Sequence, residues 1–253
     1  MSGILVLLRH GQSTWNELNL FTGWHDVPLT PRGVAEATAA GTTMAAAGLT
    51  FDEAHTSLLT RAIETNRLAL AAMGASDIPV HRDWRLNERH YGALQGLDKK
   101  ETTARHGETQ TTLWRRSFDV PPPPVESTSP EHPLNDPTYQ RLVRDGLDPS
   151  LLPATECLKD VLERILPYWH DVIRPRLRQG AHVLVTAHGN SLRALIMHLE
   201  NISSADISEF NVPTGVPRKY EFTSEMSVAK VGYLGDPQAI AAATDAVARQ
   251  ASK

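Results

Sequence analysis

The sequence predicts a single α/β domain of three layers, in which helices flank a mostly parallel open sheet. Short apolar runs alternate with helical segments along most of the chain, and this order is typical of parallel sheets that helices cover on both faces. The chain has 253 residues, 41% of them hydrophobic, which suffices for one full core. Two of the apolar runs end alike, in a His-Gly pair at His10 and at His188.

The strands and helices follow from apolar runs and from cap residues. Residues 4–8 form a continuous apolar run, which favours a strand buried on both faces, and Ser13 or Thr14 can cap a short helix after it. Thr30 and Pro31 predict the start of a helix that ends at Gly48. The same signals place strands at 51–56, 78–81 and 182–187, and helices from the turn at Ser57 to about 73, at 157–177 with a kink at Pro167, and at 191–200.

The alternation of strands and helices is interrupted between residues 92 and 150. The centre of this stretch, 121–137, is rich in proline, which excludes regular structure there. Because open α/β sheets bind ligands at the carboxyl ends of their strands, we interpret the stretch as a long insertion over the active face. The domain is expected to span 1–235, and the alanine-rich tail 236–253 predicts a weakly docked helix or a disordered end.

Composition excludes several classes of function. The formal net charge is -4, without the basic excess of a nucleic-acid binder, so no nucleic-acid partner is expected. No run of 18 apolar residues occurs, which argues against a membrane partner. The chain has a single cysteine, Cys157, which excludes an internal disulfide. The apolar run at 4–8 is too short for a secretory signal, and no cationic leader precedes it. We therefore expect a cytoplasmic protein.

The two His-Gly turns predict an anion site. Each turn follows a buried strand and opens a helix, so His10 and His188 should meet beside helix N-termini, which favour anions. Most isolated histidines are structural, but these two share an unusual context. Phosphoryl transfer needs the reacting groups to be aligned and positive charge to surround the phosphoryl oxygens. Arg9, Arg61 and His188 can supply that charge, and Asn16 adds a neutral hydrogen-bond donor. A neutral His10, with a pKa of about 6.5, would be the nucleophile if its other ring nitrogen is held.

Two other kinds of site are considered and rejected. Ser191 lies in a pattern that resembles a serine hydrolase elbow, but Arg193 stands where that pattern requires glycine. His182 and His188 could share a strand face, yet neither has an acidic or cysteine partner at metal-ligand spacing, and no Walker-type glycine loop occurs. We therefore expect neither a metal nor a nucleotide to be required.

Seven separated motifs resemble one family. Arg-His-Gly-Gln-Ser-Thr-Trp-Asn at 9–16 is similar to the signature of the histidine phosphatase superfamily. Together with the other six, the resemblance narrows to cofactor-dependent phosphoglycerate mutase and spans about residues 4 to 235. The six are Phe-Thr-Gly-Trp at 21–24, Ser-x-x-x-Arg-Ala at 57–62, Leu-Asn-Glu-Arg-His-Tyr-Gly at 86–92, Trp-Arg-Arg at 114–116, His-Gly-Asn-Ser-Leu-Arg at 188–193 and Pro-Thr-Gly at 213–215.

This resemblance implies interconversion of 2-phosphoglycerate and 3-phosphoglycerate, in glycolysis and gluconeogenesis. It implies 2,3-bisphosphoglycerate as the cofactor that phosphorylates His10, no metal, and a homodimer or homotetramer. Glu88 would move a proton to and from the substrate hydroxyl. Gln12 departs from the acid often found there in the family. The implied substrate contacts are Ser13, Asn16, Thr22, Gly23, Arg61, Glu88, Tyr91, Lys99, Arg115, Arg116, Gly189 and Asn190.

Simpler interpretations exist for some of these residues. Glu88 could form a surface salt bridge with Arg85 or Arg89, and the pair at 115–116 could belong to a solvated cationic face. Two other functions also fit: a phosphatase that passes the phosphoryl group to water, and a catalytically silent module that binds phosphoproteins. A mutase must exclude water, so the long insertion favours the mutase, and the intact His10 and Glu88 argue against the silent module.

Overall fold

A six-stranded sheet forms the centre of the protein. The computed structural model describes residues 3–249, and within them the strand order is β3-β2-β4-β1-β5-β6. The first four strands in this order pair in parallel, whereas β5 and β6 are antiparallel to their neighbours. The strands are β1 (Ile4–Arg9), β2 (Glu53–Thr56), β3 (Val80–Arg82), β4 (Val183–Ala187), β5 (Arg218–Phe222) and β6 (Val228–Tyr233).

The predicted α/β class and parallel strands are confirmed, but the sequence analysis missed β5 and β6. Strands β1 and β4 are buried almost throughout, and such strands appear in a sequence as continuous apolar runs. Strand β6 is mostly exposed, β5 is only partly buried, and their pairing is irregular near Glu221 and Phe222. Neither strand therefore has the continuous apolar run by which β1 and β4 are recognised.

Helices cover both faces of the sheet. In β1, Leu5 and Leu7 pack into one apolar cluster, whereas Val6 and Leu8 pack into another on the opposite face, as the two-residue period of a strand requires. The helices are α1 (Thr14–Glu17), α2 (Pro31–Ala46), α3 (Thr60–Ala72), α4 (Lys99–His106), α5 (Glu108–Arg116), α6 (Pro137–Arg144), α7 (Leu158–Tyr168), α8 (Arg174–Arg178), α9 (Gly189–Glu200) and α10 (Pro237–Arg249).

Two predicted helices differ in detail from the structure. Of the two cap candidates, Ser13 and not Thr14 caps α1, and Ser13 exchanges hydrogen bonds with Asn16 in a capping box. The helix predicted at 157–177 is divided into α7 and α8 by a π-helical turn at Trp169–Ile173. This turn begins two residues after Pro167, whose missing N–H weakens the helical ladder.

The insertion and the tail both contain helices. The insertion holds α4, α5 and α6, and its proline-rich centre has only a short 3-10 turn at Pro133–Asn135. The tail forms α10, and residues 250–253 of the predicted tail lie outside the described part of the chain. Across residues 3–249, no helix combines the length and the apolar character needed to cross a membrane.

Candidate active site

Strands β1 and β4 bring the two predicted histidines together. The strands are parallel neighbours in which Arg9 lies opposite Ala187, so the next residues, His10 and His188, leave the sheet side by side. Their ring centroids are 5.0 Å apart, and both residues are buried. One phosphate can therefore contact both rings.

The ring of His10 is held in the orientation that a nucleophile needs. Its Nδ1 lies 2.7 Å from the carbonyl oxygen of Gly11; because that oxygen only accepts, Nδ1 carries the proton and Nε2 keeps its lone pair. Burial, and then the charges of Arg61 and Arg9, lower the pKa of His10 well below its usual value. The imidazole is therefore neutral at physiological pH and one of its nitrogens is held, which are the two conditions that the predicted nucleophile requires.

His188 differs from the prediction in its charge. Burial and the charge of Arg61 lower its pKa well below the usual value, so the expectation that it supplies positive charge is wrong for the free protein. Its Nε2 lies 2.7 Å from Ser57 Oγ, which already accepts the N–H of Leu59. The Ser57 hydroxyl can thus donate to Nε2, which leaves the proton on Nδ1. This Nδ1 is buried without a partner among the described residues, as expected of a donor kept for a ligand.

A cavity beside His10 collects most of the predicted site residues. Ser13 does not line it, because its side chain caps α1, and its contribution is to hold Asn16 in place. The ring of His188 contacts that of His10, although His188 is not in the lining. The predicted residues that line the cavity are Arg9, His10, Asn16, Thr22, Gly23, Arg61, Glu88, Tyr91, Lys99, Arg115, Arg116, Gly189 and Asn190.

Two arginines supply fixed positive charge next to His10. Arg61, in the first turn of α3, donates to the carbonyl oxygens of Gly23 (2.7 Å) and His25 (2.9 Å). Burial lowers its pKa to about 10, so it remains a cation at neutral pH. Arg9 donates to the carbonyl oxygen of Val212 at 2.7 Å, while its Nε is buried without a partner among the described residues.

Glu88 lies inside the cavity and not in a surface salt bridge. Its Oε1 accepts the backbone N–H groups of Arg89 (2.8 Å) and Asn190 (3.0 Å), and the residue is only 8% exposed. Arg85, one of the salt-bridge partners considered, pairs instead with Asp83 at 2.8 Å. The carboxylate is therefore held near the start of α9, where it can exchange a proton with a ligand.

The basic pair at 115–116 and Lys99 form a second cationic group in the same cavity. The interpretation of the pair as a solvated face is therefore wrong. Burial lowers the pKa of both arginines, and Arg116 donates to Asn211 Oδ1 at 2.9 Å. Burial, then the charges of Arg115 and Arg9, lower the pKa of Lys99 to about 7. Lys99 is thus a cation whose charge depends on pH in the neutral range.

Some lining residues were not predicted as site residues. Arg193 occurs in a quoted motif, and its position one helical turn after Asn190 would have placed it on the same face of α9. Asn211 lies two residues before the quoted motif at 213–215, which could have pointed to it, whereas Val247 belongs to the tail and had no signal in the sequence. The lining residues outside the prediction are Leu20, Arg193, Asn211, Val212 and Val247.

A neutral nucleophilic imidazole against a second imidazole, in a cationic cavity, defines a phosphoryl-transfer enzyme. The chain belongs to the histidine phosphatase superfamily (branch 1), whose family model matches residues 5–132 and 130–231. Within the described residues, no three or more His, Cys, Asp or Glu side chains lie close enough together to bind a metal ion.

Solved structures share the fold at low sequence identity. A putative alpha-ribazole-5'-P phosphatase from Escherichia coli is 20% identical with a TM-score of 0.67, and the match covers 93% of this chain and 98% of that one. A mycobacterial glucosyl-3-phosphoglycerate phosphatase is 21% identical with a TM-score of 0.68, over 92% and 97% of the two chains. These structures are phosphatases, and at this identity they support the fold alone.

Proposed function

We propose that the protein interconverts 2-phosphoglycerate and 3-phosphoglycerate through a phosphohistidine at His10, primed by 2,3-bisphosphoglycerate. The observation that carries the proposal is the charge of the cavity. Among the described residues, one carboxylate, Glu88, lines it together with six cationic side chains. These are Arg9, Arg61, Lys99, Arg115, Arg116 and Arg193.

This charge excess fits a ligand with two phosphates and a carboxylate. Such a ligand carries about four to five negative charges at neutral pH, whereas hydrolysis of a simple monoester needs cations around one phosphate only. Arg9 and Arg61 lie beside His10, and the group at Lys99 and Arg115 can take the remaining anionic groups. The buried, unpartnered Nε of Arg9 supports the fit, since an anion would supply the missing acceptor.

The chain's own residues account for each proton in the proposed cycle. Bound 2,3-bisphosphoglycerate supplies the phosphoryl group that charges His10. Nε2 of His10 attacks phosphorus while Nδ1–H stays with Gly11, and Glu88 gives a proton to the departing oxygen. In the return transfer, Glu88 takes the proton from a substrate hydroxyl, whose oxygen bonds to phosphorus as the N–P bond breaks. His188 donates Nδ1–H to the transferring group, and burial keeps water from the phosphohistidine.

A phosphatase is the second candidate. It shares the first transfer to His10 and then passes the phosphoryl group to water. The phosphatase names of the solved structures with this fold favour it, and one of those proteins acts on a phosphoglycerate derivative by its name. The cavity's second cationic group favours the mutase, because water as acceptor needs no such group.

One experiment separates the two candidates. The protein is incubated with 3-phosphoglycerate and a trace of 2,3-bisphosphoglycerate, and 2-phosphoglycerate and free phosphate are measured over time. We expect 2-phosphoglycerate to form much faster than phosphate. H10A, with its fold verified by circular dichroism, should lose both activities. Dominant phosphate release would establish the phosphatase, and full turnover by H10A would refute both mechanisms.

A further inference from the structure

Arg193 lines the cavity, and protein groups already hold the end of its side chain. It is only 5% exposed, and its guanidinium already has two partners. Nη1 donates to Asn190 Oδ1 at 3.0 Å, and Nη2 donates to the carbonyl oxygen of Ile207. Burial lowers its pKa to about 9, so it stays protonated at neutral pH. Nε is buried without a partner among the described residues, but both Nη atoms are committed to the protein, so these two atoms have a role other than direct capture of an anion.

The contact with Asn190 decides which way that amide points. A guanidinium has donors and no acceptor, so only the amide oxygen of Asn190 can face Arg193. The amide nitrogen must then point the other way, where it donates to the hydroxyl of Tyr91 at 3.1 Å. Asn190 and Tyr91 both line the cavity. One N–H of the amide is used by Tyr91, so the amide has its second N–H, and not its oxygen, to offer to an anion in the cavity.

The second contact of Arg193 anchors the arrangement to a distant segment. Ile207 belongs to a 3-10 turn at Asp206–Glu209, and it is fully buried. Arg116 donates to Ser208 and Asn211 nearby in the chain. Residues 207–212 thus offer carbonyl and amide oxygens to several cavity arginines at once. Arg193 connects this segment to α9, so its position does not depend on a ligand.

We propose that Arg193 is a positioning residue that fixes the Asn190 amide as an anion donor. The proposal rests on the proposed function only in its choice of ligand. Without the guanidinium of Arg193, the Asn190 amide is free to rotate and to turn its oxygen toward the anion. The partial negative charge of that oxygen would repel the anion. A lysine keeps the charge at 193 but offers one ammonium group in place of a planar fork. It cannot hold Asn190 and Ile207 in the same way.

A double-mutant cycle tests this role. The dissociation constants of 3-phosphoglycerate and of inorganic phosphate are measured by titration calorimetry for the wild type, R193K, N190A and the double variant. We expect R193K alone to weaken 3-phosphoglycerate binding about tenfold, as for loss of one charge-assisted hydrogen bond. In the N190A background the same change should cost less than about twofold, because the group it positions is already gone. Arg174→Lys, a half-buried arginine outside the cavity, is the matched control and should bind like the wild type.

The outcomes are distinct. Equal losses with and without Asn190, or no loss in R193K, would overturn the positioning role. R193M removes the charge as well. The affinity that R193M loses must also be smaller in the N190A background. If it is not, Arg193 acts through its charge or through the fold, and the positioning role is overturned. Thermal melting of each variant separates a general loss of stability from an effect on binding. If the wild type binds inorganic phosphate but neither binds nor converts 3-phosphoglycerate, the proposed function fails, and the phosphate series still tests Arg193.

Discussion

Ligand binding should draw a proton onto Lys99. Lys99 is the first residue of α4, where the helix dipole disfavours a cation. Burial, and then the charges of Arg115 and Arg9, lower the pKa of its amine to about 7. An anionic ligand reverses this balance because it favours the charged amine. The bound state therefore holds more protons than the free state, and affinity must fall as pH rises above about 7.

The size of the effect follows from the lowered pKa. With a pKa of about 7, roughly half of the free molecules carry the Lys99 charge at pH 7 and about a tenth at pH 8. If the bound amine is fully charged, binding takes up about half a proton at pH 7 and about 0.9 proton at pH 8. Affinity then falls up to about tenfold per pH unit above pH 7, which is about 1.4 kcal/mol.

The assay is titration calorimetry with 3-phosphoglycerate, whose phosphate is already ionised above pH 7. Titrations in buffers of different ionisation enthalpy measure the number of protons taken up at each pH. K99R keeps a permanent charge at this position, so it should bind with a flatter pH profile and without the Lys99 proton. Any uptake by His10 or His188 appears in both proteins and cancels in the comparison. Uptake below about 0.2 proton at pH 8, or an identical profile for K99R, would refute the reasoning.

Two further predictions concern stability and transfer. Arg164→Met leaves the buried carboxylate of Glu156 without the partner that lies 2.6 Å away, and we expect the free energy of unfolding in urea to fall by about 3–5 kcal/mol. Lys159→Met, in an exposed pair on the same helix, should cost less than about 1 kcal/mol, and equal losses would contradict the argument. Ser57→Ala removes the hydroxyl that orients the His188 ring and accepts the N–H of Leu59. Phosphoryl transfer should therefore slow about tenfold, in a protein that still folds but has lost about 1–3 kcal/mol of stability. Unaltered single-turnover rates would show that the hydrogen bond to His188 does not matter.

The sequence alone was enough to pair the two histidines. Buried parallel strands have continuous apolar runs, and the residues after two such runs share one edge of the sheet. His10 and His188 are therefore predicted together from local patterns. The same holds for Thr30 at the start of α2, whose side chain accepts the N–H of Gly33 as a cap residue should. Local rules sufficed in these cases because the causes lie within a few residues of the effect.

Only the tertiary structure decided the charge states and the inner wall of the cavity. His188 is neutral and Lys99 has a pKa of about 7 because of burial and of cations from other segments. No short motif encodes the combined effect of burial and these charges on the pKa. Arg193 holds Asn190 because residues 207–212 return to α9, through a contact between distant parts of the chain. The residue types of the site are written in its motifs, whereas protonation and orientation arise from desolvation and long-range packing, which exist only once the chain has folded.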